Sequence, residues 1–122
     1  MSWHFSDDRP IYMQLMEQIQ LKIVSGSYRA GEKLPSVRDM ASDASVNPNT
    51  MQKALTELER TGLVYSQRTT GRFITEDSNM IKDIRNGLAK EQIEKFLYNM
   101  EKIGYTKQET IELVEIISKE MK

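Results

Sequence analysis

The stretch that most limits what this chain can fold into is SVNPNTMQKALTELERTGLV, residues 45–64. It marks both ends of one helix. Asn47 is a good N-cap, and Pro48 suits the first helical position because the amide it lacks would have no partner there. Met51, Ala54, Leu55 and Leu58 repeat as an apolar stripe, and Thr61-Gly62 ends the helix. Asn49, Thr50, Gln52 and Lys53 fall off that stripe, together in the first turn and a half. A helix tip rich in amide, hydroxyl and cationic groups adds little to a core.

The flanking segments place this helix third in an ordered series. RPIYMQLMEQIQLKIVSGSY predicts a first helix with Pro10 at its first position and Gly26 at its stop, and Ile11, Leu15, Ile19 and Ile23 form a buried stripe. RAGEKLPS is a loop punctuated by Gly31 and Pro35. Ser36 can cap a second helix, with Asp39 three residues on and Met40, Ala41 and Ala44 as its small apolar face, ending near Ser45. After the third helix the period changes. Leu63, Val64, Tyr65, Phe73 and Ile74 favour strands, and RTTGR reads as a hairpin tip. Helix, loop, helix, short turn, helix, hairpin is the layout of a winged helix-turn-helix. The fold class is mainly α with a small β-hairpin wing, occupying residues 9–76.

Residues 77–122 are helical again. A long helix spans about Ser78 to Ile103, Gly104 caps it, and Thr106 with Glu109 forms a capping box for a last helix. The reading is a C-terminal two-helix hairpin. Ile81, Ile84 and Leu88 point one way, while Ile93, Phe96, Leu97 and Met100 lie about a third of a turn round, with Gly87 near the change as a place for a bend. The last helix carries Ile111, Leu113, Val114, Ile116, Ile117 and Met121, more than one narrow stripe. So small a hairpin cannot cover that apolar surface alone. Either it docks on the first domain, or a second copy covers it. A homodimer is the expectation, held by Ile84, Leu88, Phe96, Leu97, Met100, Leu113, Ile117 and Met121.

Composition narrows the function. With 39% hydrophobic and 29% charged residues the chain has a soluble composition, and no stretch approaches the roughly 18 apolar residues of a membrane span. The N-terminus MSWHFSDDRP does not read as a signal peptide. The absence of cysteine excludes disulfides and thiolate metal sites and fits a reducing cytoplasm. One histidine, His4, cannot build a histidine-rich metal site or a triad. With no Gly-rich phosphate loop and no nucleophile–base set, an enzyme is not expected, nor a cofactor.

DNA chemistry accounts for the polar helix tip. A recognition helix enters the major groove N-terminal end first, where Asn pairs with adenine and Thr meets bases or the thymine methyl. Asn47, Asn49, Thr50, Gln52 and Lys53 are the candidate DNA contacts of this helix, and Lys53 could reach a guanine or a phosphate. Ser36 and Arg38 start the helix that crosses the phosphate backbone in this layout, and its free amides favour an anion. Arg68 and Arg72 flank the wing tip. The net charge of −1 means that such a function rests on local clustering of these cations. The plain alternative for the tip is a well-capped, solvated helix start, and for each arginine a surface ion pair, above all for Arg72. A winged-helix module that docks on another protein without specific DNA binding also remains. The aromatic anchors favoured at protein interfaces are lacking at this tip.

Other residues have ordinary readings. Trp3 and Phe5 pin the N-terminal arm onto the domain, with His4 solvated. The methionines fill the core. Lys90, Glu91, Glu94, Lys95, Glu101 and Lys102 form a solvated face. Tyr98 and Tyr105 read as interface packing.

Over residues 9–75 the chain resembles the N-terminal domain of the GntR family of bacterial transcription regulators. PIYMQ, GSYRAGEKLPSVR, NPNT and LERTGLV occur in order, and VNPNT with only a short helical tail looks like the YtrA subfamily. The resemblance implies a homodimeric repressor on double-stranded, inverted-repeat operator DNA, often controlling neighbouring transporter genes. Family contact roles fall on Arg38, on Asn49, Thr50 and Lys53, and on Gly71 at the wing. Two departures stand out. The wider family has Ser-Arg where this chain has Asn47-Pro48, so a cationic contact is missing. Relatives often read Arg-Gly-x-Gly at the wing, where Thr69 stands at the first glycine. If that position needs a positive φ, threonine costs on the order of 1 kcal/mol or more. If the hairpins close a pocket between subunits, a small apolar effector could set the spacing of the recognition helices.

Overall fold

The computed structural model describes residues 3–122. Its elements are α1 (Ile11–Val24), α2 (Val37–Ala44), α3 (Pro48–Thr61), β1 (Val64–Gln67), β2 (Gly71–Ile74), α4 (Ser78–Ile103) and α5 (Lys107–Glu120). They fall into two compact units that divide between Arg85 and Asn86.

In the first unit the expected stripes converge. Leu15, Ile19 and Ile23 of α1 meet Met40 and Ala41 of α2, Met51, Leu55 and Leu58 of α3, and Val64 and Ile74 of the wing, all buried in one cluster. Helix α3 is its centre, packing on α1, α2 and β1. One helix end shifts from expectation. Pro10 is the N-cap of α1, not its first helical residue; its φ of −55° suits a helix but its ψ of 138° is extended. The ends of α2 follow local chemistry. The Ser36 hydroxyl accepts from the Asp39 amide at 3.1 Å, and Ser45 turns the chain with a φ of 57°. Two residues later Asn47 Oδ1 accepts from the Asn49 amide at 2.7 Å. Gly62 closes α3 with a φ of 86°, a conformation open to glycine without strain.

The wing is an antiparallel pair in which Tyr65 faces Phe73 and Gln67 faces Gly71. The Tyr65 and Phe73 rings stack with centroids 5.7 Å apart, a cross-strand pair of the kind that stabilises sheets. The loop before α2 adds to this sheet. Lys33 bridges Phe73, Leu34 donates its amide to the Arg72 carbonyl, and Ile74 donates to Glu32.

The N-terminal arm is fastened as the sequence suggests. Trp3 and Phe5 pack against the core, and Trp3 Nε1 donates to Asp43 Oδ2 at 2.9 Å. The buried Gln14 side chain donates to the carbonyls of Ser6 and Arg9 and accepts from the Ser6 amide. All of its hydrogen-bonding groups are thereby used, which removes the penalty of burying an amide. Lys22, also buried, holds its ammonium 3.8 Å from the Trp3 ring centroid.

Helix α4 runs through Gly87 without interruption. Its first turns belong to the first unit, where Met80, Ile81 and Ile84 pack against the winged-helix core. Ile84 was expected at a dimer contact. It is partly buried against the core of its own winged-helix unit and lines a groove there with Met16 and Leu58.

In the second unit, Gly104 adopts a φ of 109° and Thr106 and Glu109 complete a reciprocal capping box. The Glu109 carboxyl lies below its ordinary range, chiefly because it accepts the Thr106 amide. The two helices meet only around this turn, where Lys107 and Glu101 are 3.6 Å apart. They do not pack along their lengths, so the expected hairpin is an open one. Thr110 alone is buried on α5. Ile93, Ile103, Ile116 and Met121 remain 57%, 68%, 56% and 72% exposed. Among the described residues no helix is long and apolar enough to cross a membrane.

Candidate DNA interface

The start of α3 is capped and left open. Asn47 spends its side-chain oxygen on the helix cap, so its role at this tip is largely to form the helix end. Asn49, Gln52 and Lys53 are exposed and Thr50 is half-buried. Gln52 lies along Thr56, one turn on. The Lys53 ammonium sits 3.9 Å from the ring centroid of Tyr12 on α1. A cation over a tyrosine face gains about 0.5–1 kcal/mol at an exposed site, so Tyr12 steers a side chain of α3 from a different helix.

The second group lies where α2 begins beside the wing. Ser36, Gly71 and Arg72 line one open cleft together with Lys33, Pro35, Val37, Thr69 and Thr70. Arg38 is exposed on the first turn of α2, and Arg68 is exposed at the wing tip. Thr69 does adopt a positive φ, 68°.

Arg72 is differently placed from the other cations. Its Nε donates to Glu59 Oε1 at 2.6 Å, and both side chains are more than two-thirds covered. Ser66 donates its hydroxyl to the same carboxylate. Burial pushes the Glu59 carboxyl up, but the hydrogen bonds from Ser66 and Arg72 and the Arg72 charge outweigh it, leaving the group below its ordinary range. The ion-pair reading of Arg72 therefore describes its state in this structure. Lys33, Arg38, Lys53 and Arg68 have no carboxylate within ion-pairing distance among the described residues.

Three residues at this surface escape a reading by sequence. Tyr12 and Glu59 act through partners far along the chain, and no local periodicity encodes that. Lys33 sits inside the GEKLPS stretch, where it reads as a loop cation.

Comparison with known proteins covers the helices and wing of this unit. The model for bacterial regulatory proteins of the gntR family matches residues 11–74. The chain belongs to the GntR family of bacterial regulatory proteins. These are transcription regulators, not enzymes. The chain is 40% identical over 108 residues to the HTH-type transcriptional regulator YhcF of Bacillus subtilis, covering 88% of this chain and 89% of that one. It is 32% identical over 114 residues to the transcriptional repressor YtrA of the same organism, covering 93% and 88%. A solved GntR family regulator from Listeria monocytogenes superposes with a TM-score of 0.84 at 43% identity, covering 91% of this chain and 97% of that one. Each of these matches is longer than the first unit and so extends into the second.

Proposed function

We propose that this GntR regulator is a homodimeric repressor of an operon that reads an inverted-repeat operator in double-stranded DNA. The observation that carries the reading is the start of α3. Its cap is satisfied by Asn47, and Asn49, Thr50, Gln52 and Lys53 are displayed beside it with no core to serve. Amide and hydroxyl groups at such a position match the donor and acceptor pattern of base edges in the major groove. Ser36 and Arg38 at α2 and Arg68 and Gly71 at the wing take the backbone on either side. Arg72 supports the wing through Glu59. Repression is the role named for YtrA, which resembles this chain over nearly its whole length. The apolar faces of α4 beyond Asn86 and of α5 support the dimer: Leu88, Phe96, Leu97, Met100, Leu113, Ile117 and Met121 are half-buried or exposed there, and a second copy of the same open hairpin is the occupant that fits.

The test is a titration of the protein into a labelled fragment from upstream of its own gene, at two salt concentrations, beside a scrambled fragment. Tight, salt-sensitive binding to the native fragment is expected. Asn49→Ala should lose about 1–3 kcal/mol and relax specificity, while Arg38→Ala weakens all sequences evenly. Unchanged affinity in both variants would remove these residues from the interface. Equal weak binding to both fragments would favour a protein partner at the helix tip.

A further inference from the structure

Of the polar residues lining the wing cleft, Lys33 is the one whose side chain has no hydrogen bond or ion pair among the described residues. Its backbone joins the sheet through the bridge to Phe73, so its Cα is fixed at the root of the wing. Its side chain then crosses the wing over Gly71. A Cβ at Gly71 would meet Lys33 Cε at 3.1 Å and Nζ at 4.0 Å, and Gly71 has a φ of +119°. The absence of a side chain at Gly71 is what opens this path, and the backbone conformation there independently excludes most other residues.

The ammonium arrives in an open cleft of about 670 Å³ between the wing and the beginning of α2. That cleft is too wide and open to cage a single ion, but it suits a strand passing through. Lys33 and Arg72 are the two cations among its lining residues, and Arg72 is neutralised by Glu59. Lys33 has no carboxylate within 4 Å among the described residues. The free charge of the cleft therefore comes from Lys33. Beside it stand the first amides of α2, of which the Ser36 hydroxyl takes only that of Asp39, leaving those of Val37 and Arg38 as helix-start donors.

We infer that Lys33, reaching across Gly71, is a DNA-backbone contact that seats one phosphodiester between the wing and α2. The inference rests on the DNA-binding reading above. It gives Gly71 a second role, as the gap through which the lysine passes.

The experiment compares the full-length wild type with Lys33→Gln and Lys33→Arg on one operator fragment, across 50 to 200 mM salt. Each phosphate contact contributes a slope of about 0.9 in log affinity against log salt. Lys33→Gln should flatten the slope by about 0.9 per protomer bound and lower affinity at 0.1 M salt by roughly fivefold to tenfold per protomer. It should do so equally on operator and scrambled DNA, and Lys33→Arg should restore both values. Lys33 is exposed, so both variants should melt with the wild type. An unchanged slope in Lys33→Gln, with wild-type binding intact, overturns the inference. So would a rise in melting temperature with inorganic phosphate that is lost in Lys33→Gln while DNA binding is not, which would make the cleft a free-anion site. Failure of the wild type to bind DNA in a salt-sensitive way is a separate result, and sinks the DNA-binding reading itself.

Discussion

Arg72 Nε lies 2.6 Å from Glu59 Oε1, tying the second wing strand to the last turn of α3. The wing is a two-stranded hairpin, and an isolated hairpin is marginal in water. Its orientation relative to the recognition helix therefore depends on such ties, on the Ser66 hydroxyl that shares the carboxylate, and on the Lys33 bridge. Glu59→Gln should lower stability by about 1 kcal/mol at pH 7, the scale of one partly covered charged hydrogen bond. The pH dependence has a definite sign. The folded carboxyl lies below its ordinary range, so its contribution is complete above about pH 4.3. It is lost as pH falls through the lower folded value. Urea titrations of both proteins at pH 7 and pH 3 check this: the gap between them should narrow at the lower pH, and a gap of unchanged size would mean the charge is irrelevant.

The stacking of Lys53 on Tyr12 predicts coupling between α1 and the proposed DNA contact of Lys53. Tyr12→Phe keeps a π face and should leave operator affinity nearly unchanged. Tyr12→Leu keeps apolar volume without that face and should lose about twofold to fivefold, equivalent to 0.5–1 kcal/mol. The decisive measurement is a double-mutant cycle. Tyr12→Leu should cost nothing further in a Lys53→Gln background, and additive losses would show that Tyr12 acts by some other route.

At the wing tip, Thr69 holds a φ of 68°, a region that costs an L residue about 1–2 kcal/mol. Thr69→Gly should relieve that strain while returning part of it as unfolded-chain entropy. The expected outcome is a net gain of about 0.5–1 kcal/mol in chemical denaturation. A loss of stability would mean that the short hydrogen bond from Thr69 Oγ1 to the Arg68 carbonyl, 2.5 Å long, outweighs the strain.

The features legible in the sequence are those decided within a few residues. Asn47 with Pro48, Ser36, and Thr106 with Glu109 are caps, and a cap needs only an oxygen at the right offset from a free amide. The positive φ at Thr69 was open in the sequence, raised only by the glycine that similar wings carry there, and the fold adopts it. What escaped depends on partners distant in the chain. Ile84 stands in the same helical stripe as Leu88, yet its neighbours lie in α1 and α3 of the first unit, which no helical wheel can tell. Glu59 reads as an acid late on a helix, and only the folded wing brings Arg72 to it. Pro10 moved by one position because its extended ψ serves the arm that leads into α1, fastened there by Gln14.

The apolar faces of α4 and α5 can be told apart by substitution. Ile117 is 46% exposed on α5, and Ile84 is half-buried on the winged-helix core. Placing a charge at each should have different consequences. Ile117→Glu removes nothing from the core of the first unit, so its melting should be little changed. In a dimer the same substitution buries a carboxylate at the interface, where an unpaired charge is strongly unfavourable. Sedimentation equilibrium should then give a monomer, and operator affinity should fall by about 10²-fold or more as the two half-sites lose their linkage. Ile84→Glu should instead unfold the first unit at lower denaturant, by about 2 kcal/mol or more. A dimer that survives Ile117→Glu would remove α5 from the interface, and an Ile84→Glu protein that melts as wild type but becomes monomeric would move the contact onto the first turns of α4.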